Sequence, residues 1–436
     1  MIEEILKKIK EDEVDFAELW FVDILGQLKT FTIPVKEIEK AFVEGIGFDG
    51  SSIEGFARIY ESDLIAKPDP STYQILPLGK ENTVRFFCDI YFPEGNPYDG
   101  DSRYILKRYL NKIKQYGYTF NIGPEIEYFY FKNSSSLEIL DKATYFDFIP
   151  MDIGSHLRTK TITLCEKMGI EIEAGHHEVS PSQHEIDLKY DEALKMADKI
   201  MTVKVLIKQV ASQENFYATF MPKPLFGLNG SGLHLHQSLF KNGQNAFFDS
   251  NDSNFLSPIA KSYVAGLLKY IKEITSVCNQ WVNSYKRLVT GYEAPVYISW
   301  GRKNRSALVR VPIYKPGKEK STRIELRSPD PACNPYLAFT VILAAGFKGI
   351  EEKLEIPFPV EENLYQMDEK KRKRVKIDML PGSLIEAIKE TEKSVIVKEA
   401  LGEHIFYKFI ENKKIEWDMY RTQVTNYEIE KYLPIL

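Results

Sequence analysis

The segment Gly123-Pro-Glu125-Ile-Glu127-Tyr-Phe-Tyr-Phe131 decides how the fold is interpreted. Aromatic side chains and isoleucine are enriched in strands, so the sequence predicts a β-strand over residues 119–131. Side chains alternate between the two faces of a strand, which places Glu125 and Glu127 on the same face. Taken alone, this pair suits a solvent-facing edge as well as a functional site.

Three further segments bring acidic residues and histidines to strands. Glu178 and Glu185 flank a turn that contains proline, so they can converge from a loop and the following strand. His234 and His236 share one face of a predicted strand, and the glycines before them allow the backbone to approach a ligand. Residues 323–327 (RIELR) place three charges on one face and two apolar residues on the other.

Four such segments predict a metal site. Carboxylates gathered on inward-facing strands repel one another and take raised pKa values unless cations neutralise them. Oxygen-rich sites with one imidazole suit Mg²⁺ or Mn²⁺. The interleaved arginines add a demand for anionic groups such as phosphate or carboxylate. The residues by themselves therefore predict a phosphoryl-transfer site and go no further.

The surrounding pattern predicts an α+β protein with two domains. Further strands are expected at 183–189, 233–240, 307–312 and 322–328, and a pair of strands around a turn at 24–27 is expected within 16–32. Helices are expected at 2–12, 36–43, 102–116, 191–214 and after Asn334-Pro335, where asparagine suits the N-cap and proline the first helical position. The turn-rich segment 93–100 indicates a boundary, giving domains over 1–102 and 103–436.

Composition excludes several classes of protein. A net charge of −5 over 436 residues gives no reason to expect nucleic acid as a partner, and the basic run 370–374 is interpreted as a solvated surface. The longest nearly apolar run, 336–347, is too short to span a membrane. The four widely spaced cysteines indicate reduced core residues, hence a cytoplasmic protein. The GxGxxG match at 45–50 lacks the strand and helix that a dinucleotide site requires.

Seven motifs, in order, resemble the glutamine synthetase family. They are FDGSSIEGF (48–56), GPEIE (123–127), HHEVSPSQHEI (176–186), MPKPLFGLNGSGLHLHQS (221–238), YKRLVTGYEAP (285–295), NRSALVR (304–310) and RIELRSPDPACNPY (323–336). The chain is most similar to type I enzymes of bacteria and archaea, in the shorter variety without their extra insertion. The resemblance implies a β-grasp N-terminal domain, a catalytic domain with a curved antiparallel sheet and surrounding helices, and a homododecamer with shared active sites.

The resemblance also implies the ligands of the site. One Mg²⁺ or Mn²⁺ would be held by Glu127, Glu178 and Glu185, and a second by Glu125, His234 and Glu325. L-Glutamate would be bound by Asn229, Gly230, Arg287 and Arg327, with Glu293 and Arg305 nearby. ATP would be bound by Glu173, His236, Ser238, Arg310 and Lys320, with Arg305 reaching the transferred phosphate.

The implied reaction forms γ-glutamyl phosphate, which ammonia then attacks. Asp49 would deprotonate ammonium in a neighbouring subunit's site, and Glu293 would cover the site and remove a later proton. Tyr365 falls at the position adenylylated in some type I enzymes, although a bare surface tyrosine is the favoured interpretation. Arg58 matches an arginine linked to glutamine feedback, and an ordinary interface salt bridge is equally compatible with it.

Three alternatives stay open on sequence alone. A γ-glutamyl–amine ligase would take a polyamine or another amine, for which the acidic pocket around Asp49 would need reshaping. A catalytically silent structural or regulatory relative would have lost a metal carboxylate, and none is lost here. A metal-dependent phosphohydrolase would not need the Glu293 loop or the glutamate-binding residues.

Overall fold

The N-terminal part forms a mixed sheet in the computed structural model, which describes residues 1–53, 63–79 and 81–436. Its strands are β1 Phe16–Val22, β2 Leu28–Pro34, β3 Ile46–Asp49, β4 Asp63–Pro68, β5 Gln74–Ile75 and β6 Thr83–Tyr91. They lie in the order β2-β1-β6-β4-β3, with β5 beside β6. β1 runs antiparallel to β2 but parallel to β6.

Two helices accompany this sheet, α1 Ile2–Glu11 and α2 Ile38–Glu44. The ring of Phe42 on α2 packs edge-on against Phe86 of β6, with 5.2 Å between the ring centroids. The predicted helices at 2–12 and 36–43 and the predicted strand pair are confirmed. β3 lies inside the GxGxxG match, directly after α2, so the strand–turn–helix context of a dinucleotide site is not formed.

The large sheet has ten strands. They are β7 Tyr118–Phe131, β8 Ile172–His177, β9 Gln183–Leu188, β10 Asp191–Glu192, β11 Tyr217–Thr219, β12 Leu233–Lys241, β13 Gln244–Asn245, β14 Tyr297–Gly301, β15 Ala307–Arg310 and β16 Ile324–Leu326. The main order is β14-β15-β16-β12-β7-β9-β8. The predicted strands are confirmed, with shorter bounds for β15 and β16. β15 stops before Pro312, which has no N–H to donate to a ladder.

The antiparallel prediction for this sheet needs one correction. β14 pairs with β15 in parallel, whereas the other described pairs of this sheet are antiparallel. Residues 302–306 connect the two strands and run back along β14, so that Ala307 pairs with Tyr297.

Helices cover the large sheet and form a second layer. They are α3 Ser102–Gln115, α4 Ser155–Lys167, α5 Ala193–Gln213, α6 Pro258–Cys278, α7 Ser284–Arg287, α8 Pro335–Glu351, α9 Glu369–Arg374, α10 Leu384–Glu392, α11 Val395–Leu401, α12 Glu403–Arg421 and α13 Asn426–Tyr432. The predicted helix at 191–214 begins two residues later, because 191–192 form β10. The Asn334 side chain accepts the backbone N–H of Tyr336 at 3.0 Å, which confirms the predicted N-cap of α8.

A buried arginine joins the two parts of the chain. Arg103, in the first turn of α3, pairs with Asp69 at 3.0 Å and Asp89 at 2.6 Å in the N-terminal part. It also pairs with Asp198 of α5 at 2.9 Å. Removing one partner from such a buried set would leave an uncompensated charge, so this contact fixes how the small sheet meets the helical layer. The domain division at residues 102 and 103 stays a prediction.

Two predictions about the class of protein can be compared with the described residues. None of the helices in the ranges 1–53, 63–79 and 81–436 is long and apolar enough to cross a membrane. The four cysteines are free and buried, as predicted.

Candidate functional site

The register of four neighbouring strands builds the site. Glu127 of β7 lies opposite Glu185 of β9, and Glu125 lies opposite His234 of β12. On the other side of β12, His236 lies opposite Glu325 of β16. Residues two apart on a strand share a face, so these opposed pairs place the acids and imidazoles on the same face of the sheet. We call this set the strand cluster: Glu125, Glu127, Glu185, His234, His236 and Glu325.

One half of the strand cluster is formed by Glu125, His234 and Glu325, whose potential ligand atoms lie within 4.8 Å of one another. His234 Nδ1 is 2.9 Å from one oxygen of Glu125, and His236 Nε2 is 2.7 Å from the other. Burial disfavours the charged form of Glu125, but the hydrogen bonds from His234 and His236 outweigh burial and lower its pKa. Glu125 is therefore held ionised, as a metal ligand must be.

The other half carries more negative charge than its surroundings neutralise. Glu185 belongs to two groups of ligand atoms that each lie within 4.8 Å, one with Glu127 and His234, the other with His176 and Glu178. Burial, with the neighbouring Glu178 carboxylate, raises the pKa of Glu127 to about 7. Burial and then the charge of Glu127 raise the pKa of Glu185 well above its usual range. A divalent cation would relieve this repulsion, so these residues fit Mg²⁺ or Mn²⁺.

Two arginines border the Glu325 side of the strand cluster. Arg327 Nε donates to Glu325 at 3.1 Å, and Arg310 Nε donates to the other oxygen of the same carboxylate. The buried Nη1 of Arg327 has no hydrogen-bond partner among the described residues. A buried guanidinium donor without a partner is costly, which favours an anionic ligand at this position.

The other three residues predicted to bind glutamate, Asn229, Gly230 and Arg287, each have defined neighbours. Asn229 Nδ2 donates to Glu293 at 2.9 Å. Gly230 lies where a Cβ atom would come within 2.2 Å of the Pro222 carbonyl oxygen, so only glycine fits. The guanidinium of Arg287 donates to the carbonyl oxygens of residues 327–329, the shortest distance being 2.7 Å to Ser328. Arg287 thus holds the backbone beside Arg327, and its contact with glutamate stays a prediction.

Residues predicted to bind ATP lie on β8 and β12, at the end of β15 and in the turn 319–321. Ser238 follows His236 on β12 at the spacing that shares a face, and its side chain is buried. Glu173 is exposed and lies where the register of β8 with β9 shifts. Lys320 is exposed in the turn 319–321, and its carbonyl oxygen accepts Asn245 Nδ2 at 3.0 Å. The structure brings His236 to the strand cluster and leaves Glu173 and Lys320 at the surface.

Two of the predicted catalytic residues, Glu293 and Arg305, stand on exposed loops, and we call the space between these loops and the strand cluster the cleft. Glu293 is exposed and adopts a φ of +57°, which is unusual for a residue with a Cβ atom. Arg305 is also exposed and faces the hydroxyl of Tyr145. The Tyr145 ring lies edge-on to His176, with 5.2 Å between the ring centroids, and so extends the wall of the cleft.

Asp49 lies in the other part of the chain, at the end of β3. It is exposed and accepts Ser51 Oγ at 2.6 Å and Ser51 N at 2.8 Å, and these two hydrogen bonds lower its pKa. It is therefore ionised at neutral pH, as a proton acceptor must be. Its entry into a neighbouring subunit's site stays a prediction.

The structure describes one of the two predicted regulatory residues. Arg58 lies outside the described residues. Tyr365 is not the bare surface residue that was favoured, because it is half-buried and its hydroxyl donates to the Ala294 carbonyl oxygen at 2.8 Å. The sequence carries no pattern for this contact, which joins two loops 71 residues apart.

Three residues of the cleft were not assigned a role from the sequence. Gln183 Nε2 donates to Glu127 at 3.0 Å and to the Gly230 carbonyl oxygen at 3.1 Å, so it orients a predicted metal ligand. Asp187 lies opposite Glu125, and burial raises its pKa to about 6. His176 Nε2 is 3.1 Å from Glu178. The period of two along β9 was the available signal for Gln183 and Asp187, which flank Glu185 at that spacing.

Together, the fold and the site define a class: a two-part α+β protein whose carboxylate-rich sheet face suits divalent cations and phosphate. Two family models cover the chain, the glutamine synthetase β-grasp domain over residues 13–93 and the glutamine synthetase catalytic domain over residues 99–432. The chain belongs to the glutamine synthetase family, and its relatives identify it as type I.

Similar proteins match along their whole length. A glutamine synthetase of Methanosarcina mazei is 47% identical over 440 residues, covering 100% of this chain and 98% of the relative. Glutamine synthetases of Mycolicibacterium smegmatis and Staphylococcus aureus are each 48% identical, covering 99% of this chain and 98% of the relative. Among solved structures, a GmaS/ADP complex has a TM-score of 0.91 at 30% identity and covers 99% of both chains. A Plasmodium falciparum glutamine synthetase has a TM-score of 0.91 at 29% identity, covering 99% of this chain and 98% of that one.

Proposed function

We propose that this protein makes glutamine in the cleft above the strand cluster, by way of γ-glutamyl phosphate. As a member of its family it is an ATP-dependent glutamate–ammonia ligase. The observation that carries the proposal is the strand register: carboxylates and imidazoles stand opposite one another beside the unpartnered guanidinium nitrogen of Arg327. Cations would offset the charge of the clustered carboxylates, and an anionic substrate would satisfy the arginine donor that lacks a partner.

Two or more divalent cations, Mg²⁺ or Mn²⁺, fit this donor set. Glu127, Glu178 and Glu185 would hold one cation, and Glu125, His234 and Glu325 would hold another. When bound, the cations neutralise phosphate charge and so assist phosphoryl transfer. Gln183 orients Glu127 by its hydrogen bond, and His236 orients Glu125.

The chain's own residues position the first step. Arg327 would bind glutamate through its free Nη1, with Asn229, Gly230 and Arg287 forming the surrounding wall. The γ-carboxylate of glutamate then attacks the γ-phosphorus of ATP, and ADP leaves. Arg305, at the opening of the cleft, would offset the charge that develops on the transferred group. ATP would lie along Glu173, His236, Ser238, Arg310 and Lys320.

Ammonia completes the reaction in the second step. Asp49 of a neighbouring subunit would take a proton from ammonium, and the ammonia formed attacks the acyl carbon. Glu293 would remove a further proton from the adduct as phosphate leaves. A loop over this site is chemically useful, because an acyl phosphate open to water would be hydrolysed.

We also propose an assembly, a cellular location and two regulatory positions. A site completed by Asp49 of a neighbour requires an oligomer, and we propose a homododecamer in the cytoplasm. No nucleic-acid or membrane partner is proposed. Arg58 and Tyr365 are retained as candidate regulatory positions for glutamine feedback and adenylylation respectively.

The amine that is consumed distinguishes glutamine synthesis from the γ-glutamyl–amine ligase reaction. The purified protein is incubated with ATP, Mg²⁺ and glutamate, and both phosphate and amide product are measured with ammonium, with a polyamine and with no amine. We expect glutamine and phosphate in equal amounts with ammonium and little phosphate without an amine. Consumption of a polyamine without glutamine formation would favour the amine-ligase alternative. Phosphate release that does not depend on an amine would indicate a hydrolase, and no turnover at all would indicate a silent relative.

A further inference from the structure

A single tyrosine hydroxyl joins the two loops at the opening of the cleft. The Tyr365 hydroxyl donates to the carbonyl oxygen of Ala294 at 2.8 Å, directly beside Glu293. Burial raises the pKa of Tyr365 to about 12, so the hydroxyl keeps its proton and remains a donor at neutral pH. The contact lies outside every role proposed above.

Tyr365 stands on a segment that is fastened to the loop of Arg305. We call residues 360–365 the bridge segment and residues 302–306 the arginine loop. Asn304 Nδ2 donates to the carbonyl oxygens of Val360 and Glu362 at 2.9 and 2.7 Å. The Glu361 carboxylate accepts the backbone N–H groups of residues 302 and 303 at 2.8 and 2.9 Å.

Two further contacts make this attachment rigid. The backbone N–H of Leu364 donates to Ser306 Oγ at 3.0 Å, and the Leu364 side chain is fully buried. The bridge segment is therefore bound to the arginine loop at several points along its length. A shift of the arginine loop, which carries Arg305, would therefore shift the bridge segment as well.

In the loop of Glu293, residues 290–295, Thr290, Gly291 and Glu293 are exposed, whereas Ala294 is buried. Besides the Tyr365 bond, Asn229 donates to Glu293 at 2.9 Å, and the Lys223 ammonium lies 3.9 Å from the centroid of the Tyr292 ring. Gly291 and Glu293 both have positive φ angles, +94° and +57°. The left-handed conformation is unfavourable for Glu293, so it persists only where neighbouring contacts hold it.

We propose that Tyr365 is a positioning residue that couples the Glu293 loop to the arginine loop. The bond to Ala294 holds the backbone of the Glu293 loop against the bridge segment, which is bonded to the loop that carries Arg305. The phosphate-facing arginine and the proton-accepting glutamate are thereby placed as one unit over the acyl phosphate. This inference rests on the proposed function, because it assigns Tyr365 a role in the same cleft.

The test compares Tyr365→Phe with wild type and with Tyr270→Phe in the assembled protein. The variant removes one hydroxyl and keeps the ring. Tyr270, on α6, also donates through its hydroxyl, to Glu352 at 2.9 Å, and serves as a matched control away from the cleft. Backbone hydrogen exchange of residues 290–295 is followed, together with glutamine formed per phosphate released.

Loss of one such hydrogen bond is expected to speed exchange of residues 290–295 by about three- to tenfold. Glutamine per phosphate should fall, because an acyl phosphate less well covered is lost to water. Tyr270→Phe should change neither quantity. Unchanged exchange and an unchanged ratio in Tyr365→Phe would overturn the coupling.

A second variant separates coupling from a merely structural role. If Tyr365 acts through Glu293, adding Tyr365→Phe to Glu293→Ala should leave the remaining ratio of glutamine to phosphate unchanged. Two independent, additive losses would contradict the proposal. Hydrogen exchange does not require turnover, so the coupling can be judged even if wild type makes no glutamine and the proposed function fails.

Discussion

The strand cluster and the loops above it belong to one cleft, but they are held in different ways. Glu127 and Glu185 are buried, and each faces a fixed partner across the sheet. Glu293 and Arg305 are exposed and stand on loops. The difference indicates a division of labour. The sheet holds the charged side chains together without a ligand. The residues proposed to transfer a proton and to contact phosphate depend instead on a few hydrogen bonds between loops.

The broadest effect, on both metal binding and turnover, is expected when the strand cluster loses a charge. Glu125→Gln keeps the size of the side chain but replaces a carboxylate that receives both His234 and His236. Mn²⁺ affinity and glutamine formation should each fall by at least about 100-fold. Titration calorimetry with Mn²⁺ measures the first quantity. Glu138→Gln, at an exposed carboxylate, is the control, and equal losses in both variants would contradict a specific role.

A loop residue should affect turnover without affecting metal binding. Glu293→Ala should lower glutamine formation by about 10²–10⁴-fold, the usual range for a proton-transfer group. Mn²⁺ and ATP binding should stay close to wild type, and so should thermal stability, since Glu293 is exposed. Glu355→Ala, also exposed, is the matched control. Unchanged turnover in Glu293→Ala would remove Glu293 from the mechanism.

A smaller effect is expected behind the strand cluster. Gln183→Leu removes the donors to Glu127 and Gly230 and leaves their oxygens without that partner. The free energy of unfolding should fall by ~1–3 kcal/mol, and Mn²⁺ affinity by about 10–100-fold. Chemical denaturation and calorimetry measure the two. Gln213→Leu, at the exposed end of α5, should change neither. A normal Mn²⁺ affinity in Gln183→Leu would show that cation binding by Glu127 does not depend on the Gln183 hydrogen bond.

The smallest effect is a pH dependence of metal-free stability. The pKa of Glu127 is raised from 4.5 to about 7 in the folded chain, so the folded form keeps a proton that the unfolded form has released between these values. Stability contributed by this group is therefore lost as pH rises through that window. Mg²⁺ displaces the proton, so the rise in Tm on adding Mg²⁺ should be larger at about pH 7.5 than at about pH 5.5. An equal rise at both pH values would contradict the account.

The sequence alone predicted those positions that depend on the alternation of side chains along a strand or on the residues that begin a helix. The spacing in residues 123–127 and 323–327 predicted which acids share a face, and Asn334-Pro335 predicted the start of α8. It did not identify the strands β3, β4 and β6, whose pairing joins distant segments. Nor could it find the contact of Tyr365 with Ala294, which depends on how two loops meet in space.

The positions of the bound cations can be observed directly. Crystals grown with Mn²⁺ are measured near the manganese absorption edge, and anomalous difference peaks are located. One peak is expected among Glu125, His234 and Glu325 and another among Glu127, Glu178 and Glu185. Peaks only at other acidic residues, or none at the strand cluster while Mn²⁺ supports turnover, would contradict this placement.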